Sequence, residues 1–285
     1  STFDVFDTLL TRKVGAPPVV FLLLGNYLWK HMIIKNTPEV FAHARINAEA
    51  AAYNKHNIAV VNLEQIYKEL QYMLKLSPTV KEKILWLECE LESVLLTAIP
   101  EAKIKVQKAI DSGDKVVIIS DMYLSSYFIN EQLTKNNYPE GTKCYVSNEY
   151  LKSKRTGKLF EVVAKDFNLP SSQFTHFGDN KKSDFDAPKK LKWNAVHFTD
   201  VKLNRYEQIL NSFMWETGGF SSVMAGASRL SRLSVPCKNN NEKEIRKISA
   251  GVVAPVIVSY ILWVLNRAQE MGLKNFSLHV MDRFI

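Results

Sequence analysis

Between residues 101 and 198 the chain alternates helical patterns with short apolar runs, and this alternation limits the folds that are open to it. Short strands separated by helices are typical of a parallel sheet with helices on both faces. Residues 115–120 (KVVIIS) have the β-branched composition of a fully buried strand. The other predicted strands are residues 144–147, 174–177 and 195–198, and the helices are residues 101–112, 124–135, 158–167 and 181–191. We therefore predict an α/β fold with a three-layer, Rossmann-like parallel sheet.

The stretch that begins at Phe3 (FDVFDTLLTR) leads apolar side chains into Asp4 and continues through a polar turn at Asp7 and Thr8. Ligands of open α/β sheets bind in the crevice outside the C-terminal ends of the strands. A strand at this point would deliver the Asp4 carboxylate to that edge of the sheet.

The segment between this strand and residue 101 has helical periodicity and almost no strand pattern. Residues 39–53, 63–76 and 79–98 carry apolar side chains at helical spacing, and Pro78 and Pro100 mark breaks in the pattern. We predict a helical domain, residues 14–100, that is inserted into a core made of residues 1–13 and 101–200.

Beyond residue 200 the pattern is less regular. Residues 201–215 have helical spacing, residues 218–244 have the composition of a mobile connection, and residues 244–271 predict a long helix. Residues 276–280 have the pattern of a further strand. We expect residues 201–285 to form a mostly helical extension that leads into a further, truncated domain.

Residues 248–265 form an apolar run without charges that is just long enough to span a bilayer. Gly251 and Pro255 interrupt it, and such a run is also typical of a buried or interface helix. We favour the buried or interface helix over a membrane span.

The net charge of +8 and the pI near 9.2 suit either a nucleic acid or an anionic small substrate. The sequence has no zinc-finger spacing, RNA-recognition signature or arginine-rich arm, so we expect no nucleic-acid partner. Cys89, Cys144 and Cys237 are few and widely spaced, which favours a reducing, cytoplasmic location over a disulfide framework or a zinc site.

Four segments place polar side chains at or just after predicted strand ends. They are Asp4, the pair Ser120 and Asp121, Lys154, and the run GDNKKSD that ends at Asp184. Because parallel strands end at one edge of a sheet, we expect these side chains to meet in one site. For Asp121 and Asp184 the alternative is a helix cap, and for Lys154 it is a solvated basic loop.

In order, strand context and spacing, the four segments resemble the motifs of the haloacid dehalogenase (HAD) superfamily of hydrolases. The resemblance covers residues 1 to about 200, and the helical insertion lies where that superfamily has its C1 cap. The strings FDVFDTLLTR, ISDMYLS and GDNKKSD resemble a subgroup associated with bacterial polysaccharide biosynthesis. That subgroup implies an association with glycosyltransferase machinery.

The resemblance implies a Mg²⁺-dependent phosphatase that acts on a small phosphorylated metabolite, such as a sugar phosphate. Asp4 would be the nucleophile that forms an aspartyl-phosphate. Asp179 and Asp184 would hold Mg²⁺ together with Asp4 and the backbone carbonyl of Phe6, because Mg²⁺ prefers hard oxygen ligands.

The resemblance also implies a phosphate-binding group. Ser120, with Asp121 and nearby backbone N–H groups, would bind phosphoryl oxygens. Lys154 would neutralise the carboxylates and the charge that develops on the phosphoryl group. Asn180 is a further candidate for a substrate contact and, with Ser183, for orienting the lysine or a metal-bound water.

The sequence departs from the phosphatase pattern at Phe6. HAD phosphatases carry there a second aspartate, two residues after the nucleophile, as general acid and base, whereas an aromatic residue is found in the dehalogenase branch. Asp7 would replace the missing acid if its turn points it inward. A 2-haloacid dehalogenase and a catalytically weak HAD-like binding module therefore remain alternatives.

The predicted cap contains two charged pairs at helical spacing. Arg45 lies one turn from Glu49, and Glu88 lies one turn from Glu92. We interpret both as solvent-exposed surface charges. The alternative for Arg45 is that it contacts the leaving group of the substrate when the cap closes on the site.

Overall fold

The computed structural model describes residues 1–56 and 60–273, and its centre is a five-stranded parallel sheet. The strand order is β5-β4-β1-β6-β7. These strands are β1 (Thr2–Phe3), β4 (Val117–Ser120), β5 (Lys143–Val146), β6 (Thr175–Gly178) and β7 (Asn194–His197). The α/β prediction is confirmed, and each strand predicted before residue 200 lies within a few residues of an observed one.

Helices cover both faces of this sheet because successive strand residues point to opposite sides. In β4, Ile118 packs with residues of α5 (Pro100–Asp111) and α6 (Ser126–Lys135), whereas Ile119 packs with α8 (Lys158–Phe167). Two short helices, α7 (Ser147–Tyr150) and α9 (Ala187–Lys190), complete this part of the chain. The result is a three-layer arrangement with a buried sheet.

The strand register explains why β1 positions the site. Phe3 pairs with Ile118 of β4 on one side and with Phe177 of β6 on the other. Asp4 therefore leaves the centre of the sheet between the ends of its two neighbours. Ser120 ends β4 and Gly178 ends β6, so all three positions lie at the same edge.

The described residues of the predicted insertion, 14–56 and 60–100, form four helices: α1 (Pro18–Lys30), α2 (Pro38–His56), α3 (Leu63–Leu74) and α4 (Pro78–Leu95). It is joined to the sheet by a two-stranded antiparallel ribbon of β2 (Leu10–Arg12) and β3 (Leu96–Ala98). The ribbon is a correction, because residues 79–98 carry a helical pattern. The helix ends at Leu95 because the next residues pair with β2.

Between the sheet and residue 273, the last one described, lie four helices: α10 (Arg205–Ser212), α11 (Phe220–Ser234), α12 (Asn240–Ile248) and α13 (Ala254–Glu270). Helix α11 corrects the prediction of a mobile connection over residues 218–244. Its small residues let it approach the backbone near β2: a Cβ atom on Gly226 would lie 2.5 Å from the amide nitrogen of Val14. Tertiary packing therefore overrides the weak helix propensity of glycine and serine.

The described part of the chain holds one helix, Asn240–Glu270, that is long and apolar enough to cross a membrane. A π-helical turn, Ser249–Val253, joins α12 to α13 within it. Its side chains are mostly exposed, Val256 at 65% and Trp263 at 62%, so the structure does not bury it as predicted. The predicted strand over residues 276–280 lies outside the described residues.

Candidate functional site

A buried lysine joins two of the predicted carboxylates. Lys154 Nζ lies 2.5 Å from Oδ1 of Asp4 and 2.6 Å from Oδ1 of Asp184. All three side chains are almost completely buried. The hydroxyl of Thr8, a residue that sequence reasoning missed, lies 3.4 Å from the other oxygen of Asp4. The structure therefore brings strand β1, the loop of Lys154 and the segment after β6 into one polar cluster.

The backbone of Lys154 is held by Asp121. Both carboxylate oxygens of Asp121 accept hydrogen bonds from the Lys154 amide, at 2.8 and 3.0 Å. The amide of Gly157 donates to the Lys154 carbonyl, and Gly157 has the left-handed conformation, with φ of 82°, that glycine adopts at least cost. Asp121 thus orients the lysine loop from the end of β4.

The segment after β6 turns sharply to return Asp184 to the sheet edge. It forms a π-helical turn, Lys181–Asp186, and the Asn180 side chain accepts hydrogen bonds from the amides of Lys182 and Ser183. The backbone N–H of Asn180 donates a hydrogen bond of 3.0 Å to Oδ2 of Asp184. The Asn180 side chain therefore shapes the turn, a structural role that the sequence prediction did not assign to it.

His176 supports Asp184 from inside the sheet. Its ring is fully buried, with Nε2 3.3 Å from Oδ1 of Asp184 and Nδ1 2.9 Å from the Thr2 hydroxyl. Burial lowers the pKa of His176, so the neutral ring is favoured. The sequence offered no signal for this contact beyond the position of His176 in a strand next to β1.

The site places three carboxylates, those of Asp4, Asp179 and Asp184, near a single lysine, Lys154. Burial, reinforced by Asp184 and Asp179 and opposed by Lys154, raises the pKa of Asp4 to about 8. Burial and the charges of Asp7 and Asp184 raise the pKa of Asp179 to about 7. Burial acts in the same direction on Asp184, but Lys154 and His176 together outweigh it and hold the pKa of Asp184 below its usual range.

The positions and charges of these three aspartates indicate whether they could bind a divalent cation. Oxygen atoms of Asp4, Asp179 and Asp184 lie within 4.8 Å of one another. One lysine cannot neutralise three carboxylates, and a second positive charge among them would relieve the repulsion that raises two of their pKa values. Hard carboxylate oxygens are the donors that Mg²⁺ prefers, so this donor set fits Mg²⁺.

Among the described residues at this edge, Ser120 has the one buried hydroxyl without a hydrogen-bond partner. Its Oγ is buried and has no hydrogen-bond partner in the described part of the chain, yet Ser120 lines the same cavity as Asp4 and Lys154. A buried hydroxyl without a partner costs free energy unless a ligand supplies one. The Ser120 hydroxyl is therefore available to an anion bound beside Lys154.

Phe6 and Asp7 occupy the turn where the acid was expected. Both line the cavity, and Asp7 adopts a left-handed conformation with φ of 54°. Oδ1 of Asp7 accepts a hydrogen bond of 2.6 Å from the Thr11 hydroxyl and lies 3.6 Å from Nη1 of Arg229 in α11. Asp7 thus faces the cluster, but it is held by two groups of its own.

The charged pairs of the cap are not on the surface, which corrects the sequence interpretation. Arg45 and Glu88 are fully buried and joined by two hydrogen bonds of 2.9 and 2.8 Å. Glu92 is also buried and binds Arg12 in the same two-pronged manner. Arg45 does not line the cavity, so the structure gives no support to its predicted contact with a leaving group.

A cavity of about 800 Å³ opens above the cluster, between the sheet edge and the helical insertion. This volume is typical of small-molecule sites. Residues of α2 form part of its upper wall, among them Glu49 and Tyr53. Sequence reasoning did not assign these two to the site, although their spacing places them on one helix face. Arg155 and Lys182 also line it and are exposed.

No protein-family model matches the chain, and no curated protein matches it in sequence. Solved structures do match its fold. A 2-haloacid dehalogenase from Pseudomonas syringae pv. tomato DC3000 aligns with a TM-score of 0.52 at 12% identity, over 69% of this chain and 84% of that one.

Two further structures are similar to a lesser degree. A candidate beta-phosphoglucomutase from Thermotoga maritima has a TM-score of 0.47 at 15% identity, over 67% of this chain and 81% of its own. A candidate HAD hydrolase from Bacillus subtilis, bound to magnesium, has a TM-score of 0.47 at 15% identity, over 67% of this chain and 84% of its own. At these identities the likeness concerns the fold alone. The chain therefore shares the α/β fold of the Pseudomonas syringae 2-haloacid dehalogenase.

Proposed function

We propose that the chain is a Mg²⁺-dependent phosphatase that hydrolyses a phosphomonoester of a small metabolite through an aspartyl-phosphate on Asp4. The observation that carries this proposal is the cluster of Asp4, Asp179 and Asp184 around Lys154, beside the unpartnered hydroxyl of Ser120. It combines a carboxylate nucleophile, donors for an anion and a donor set for a divalent cation in one cavity.

In this proposal, Asp4 attacks phosphorus and the bond from phosphorus to the leaving oxygen breaks. Lys154 and the Ser120 hydroxyl donate hydrogen bonds to the phosphoryl oxygens, and the backbone contacts of Asp121 hold Lys154 in place for this. A bound Mg²⁺ would reduce the charge repulsion between the carboxylates and the phosphate. Water then hydrolyses the acyl-phosphate and restores Asp4.

Proton transfer to the leaving group is assigned to Asp7. Its carboxylate faces the cluster, since its charge contributes to the raised pKa of Asp179. Oδ1 of Asp7 accepts the hydrogen bond from Thr11 and lies 3.6 Å from Arg229, so these two groups compete with a leaving group for the carboxylate. We therefore expect slow turnover for poor leaving groups and faster turnover for activated aryl esters.

The test is phosphate release from p-nitrophenyl phosphate and from a panel of sugar phosphates, with Mg²⁺ or with a chelator. Asp4→Asn should lower kcat by about 10³-fold or more, because it removes the nucleophile. Asp186→Asn is the control, since Asp186 belongs to the turn that carries Asp184 but does not line the cavity. Activity that survives Asp4→Asn, or that needs no metal, contradicts the proposal.

A second candidate is a HAD-like module that binds a phosphorylated ligand or partner without turnover. Phe6 in place of an acid, and the two groups that hold Asp7, favour it. Tight binding of beryllofluoride with Mg²⁺, without turnover of any ester in the panel, would establish this candidate instead.

A 2-haloacid dehalogenase is favoured by Phe6 alone. It predicts halide release that is insensitive to chelator. The raised pKa values of Asp4 and Asp179, caused first by burial and then by the neighbouring carboxylates, argue against it, because a metal-free reaction would bring a further carboxylate into this buried cluster.

A further inference from the structure

One face of α2 forms the wall of the cavity opposite the carboxylate cluster. Ile46, Glu49, Ala50 and Tyr53 all line the cavity, and their spacing puts them on a single side of the helix. Two of these side chains are apolar and two are polar. A ligand anchored by its phosphate at Lys154 would have its other end against this face.

Glu49 brings a net negative charge to that wall. Its Oε2 accepts a hydrogen bond of 3.2 Å from Arg45, and its side chain is 32% exposed. Arg45 is bound more closely by both oxygens of the fully buried Glu88, which also accepts a hydrogen bond of 2.7 Å from Tyr67. One guanidinium therefore serves two carboxylates, and the carboxylate that faces the cavity is Glu49.

Tyr53 places a hydroxyl beside this carboxylate. Tyr53 lies one helical turn from Glu49 on α2, and both line the cavity together with Asp121 of the sheet edge. Burial, together with the charges of Glu49 and Asp121, raises the pKa of Tyr53. The Tyr53 side chain is half-buried and lines the cavity, so its hydroxyl is accessible to a ligand. It is free to donate to, or accept from, a ligand.

We propose that Glu49 and Tyr53 select the leaving group, and that they fit a neutral, hydroxyl-bearing leaving group such as that of a sugar or polyol phosphate. The assignment rests on the proposed phosphatase function for the phosphate end of the substrate. Glu49 accepts hydrogen bonds from ligand hydroxyls, and Tyr53 pairs with a further hydroxyl. Ile46 and Ala50 contact the apolar face of the ligand.

The same charge excludes a second anionic group. A carboxylate or second phosphate on the leaving group would meet Glu49 at short range, where the partly buried wall gives little screening. Arg155 and Lys182 are exposed, and their charges are screened by solvent more strongly. Specificity therefore depends on repulsion at Glu49 as well as on hydrogen bonds.

The experiment measures binding in the Asp4→Asn chain with Mg²⁺ present, so that no substrate is consumed. Dissociation constants are determined by calorimetry for glucose 6-phosphate, 3-phosphoglycerate and inorganic phosphate, which is the shared anchor. The variants are Glu49→Gln and Tyr53→Phe. The matched control is Glu39→Gln, an exposed glutamate of the same helix that does not line the cavity.

We expect the parent to bind glucose 6-phosphate more tightly than 3-phosphoglycerate. Glu49→Gln should weaken the binding of glucose 6-phosphate about 10-fold relative to the binding of phosphate, which is the typical effect of losing one charge-assisted hydrogen bond. The same substitution should strengthen the binding of 3-phosphoglycerate. Tyr53→Phe should weaken the binding of glucose 6-phosphate about 5-fold. Glu39→Gln should leave the affinity for each ester, relative to that for phosphate, unchanged.

Equal effects of Glu49→Gln on the binding of both esters would show a purely structural role and overturn the assignment. It would also be overturned if the Asp4→Asn chain bound 3-phosphoglycerate more tightly than glucose 6-phosphate, or bound neither ester. Turnover by the native chain is a separate measurement. Selective binding without turnover would refute the proposed phosphatase while leaving the assignment of Glu49 and Tyr53 intact.

Discussion

Gly178 and Asp184 are so close that a Cβ atom on Gly178 would lie 2.5 Å from Cγ of Asp184. The end of β6 and the turn that follows it are therefore packed against each other at the sheet edge. Only glycine leaves room for the Asp184 carboxylate to reach Lys154 and His176.

Gly178→Ala should displace Asp184 and break its contact with Lys154. We expect Mg²⁺ affinity to fall by about 10-fold or more, as is typical when the support of a metal ligand is lost. Titration calorimetry with Mg²⁺ measures this. Gly113→Ala is the control, because a Cβ on Gly113 meets nothing within 4 Å, although this glycine has a positive φ of 79°. It should lower stability by about 1 kcal/mol and leave Mg²⁺ binding intact.

The stability of the metal-free chain should depend on pH through its carboxyl groups. The pKa values of Asp4 and Asp179 rise to about 8 and about 7 from an ordinary 3.8. Between about pH 4 and pH 8 the folded chain keeps protons that the unfolded chain has lost, so the free energy of unfolding falls as pH rises. Asp184, whose pKa is lowered, acts oppositely: its stabilisation is present above about pH 4 and is lost in acid.

Thermal unfolding from pH 5 to pH 9, with chelator and with Mg²⁺, measures this dependence. Mg²⁺ competes with the bound protons, so its stabilising effect should grow up to about pH 8 and then level off. Asp4→Asn should flatten the metal-free curve between pH 7 and pH 8. A metal-free melting temperature that rises from pH 5 to pH 8 would contradict the assignment of these shifts.

Arg45→Met should destabilise the helical insertion strongly. It leaves Glu88 buried without its cation, which typically costs about 3–5 kcal/mol. Denaturant unfolding measures the loss. Adding Glu88→Met should recover part of it, since two apolar side chains replace a buried pair. Lys55→Ala, at an exposed pair with Glu69, should cost less than about 1 kcal/mol. A similar loss of unfolding free energy in Arg45→Met and Lys55→Ala would contradict the burial of the Arg45–Glu88 pair.

Arg229→Ala should loosen the connection between the sheet and the insertion. Arg229 Nη2 donates hydrogen bonds to the carbonyls of Arg12 and Val14, at 2.8 and 2.9 Å. We expect amide hydrogen exchange of residues 12–15 to accelerate by about 10-fold, which corresponds to about 1.4 kcal/mol of local stability. Arg267→Ala, at an exposed arginine of α13, is the control and should leave this segment unchanged. Unchanged exchange in the Arg229 variant would show that α11 does not restrain the connection.

The strand ends were predictable because their chemistry is local. An apolar run that ends in a polar residue identifies a buried strand, and parallel strands place such ends at one edge. Asp4, Ser120, Lys154 and Asp184 were found in this way, and the structure brings them together. Helix α11 and the surroundings of Arg45 were not predictable, because the partners of both are far away in the sequence.

The sequence by itself determined the α/β sheet, the order of its strands along the chain, and the carboxylates and lysine that meet at its edge. Tertiary structure decided which charges are buried and which face the cavity. Arg45 pairs with Glu88 across 43 positions of the chain, and Glu49 is left facing the ligand. Burial and long-range pairing set the state of a charge, and neither can be read from the spacing of residues along one helix.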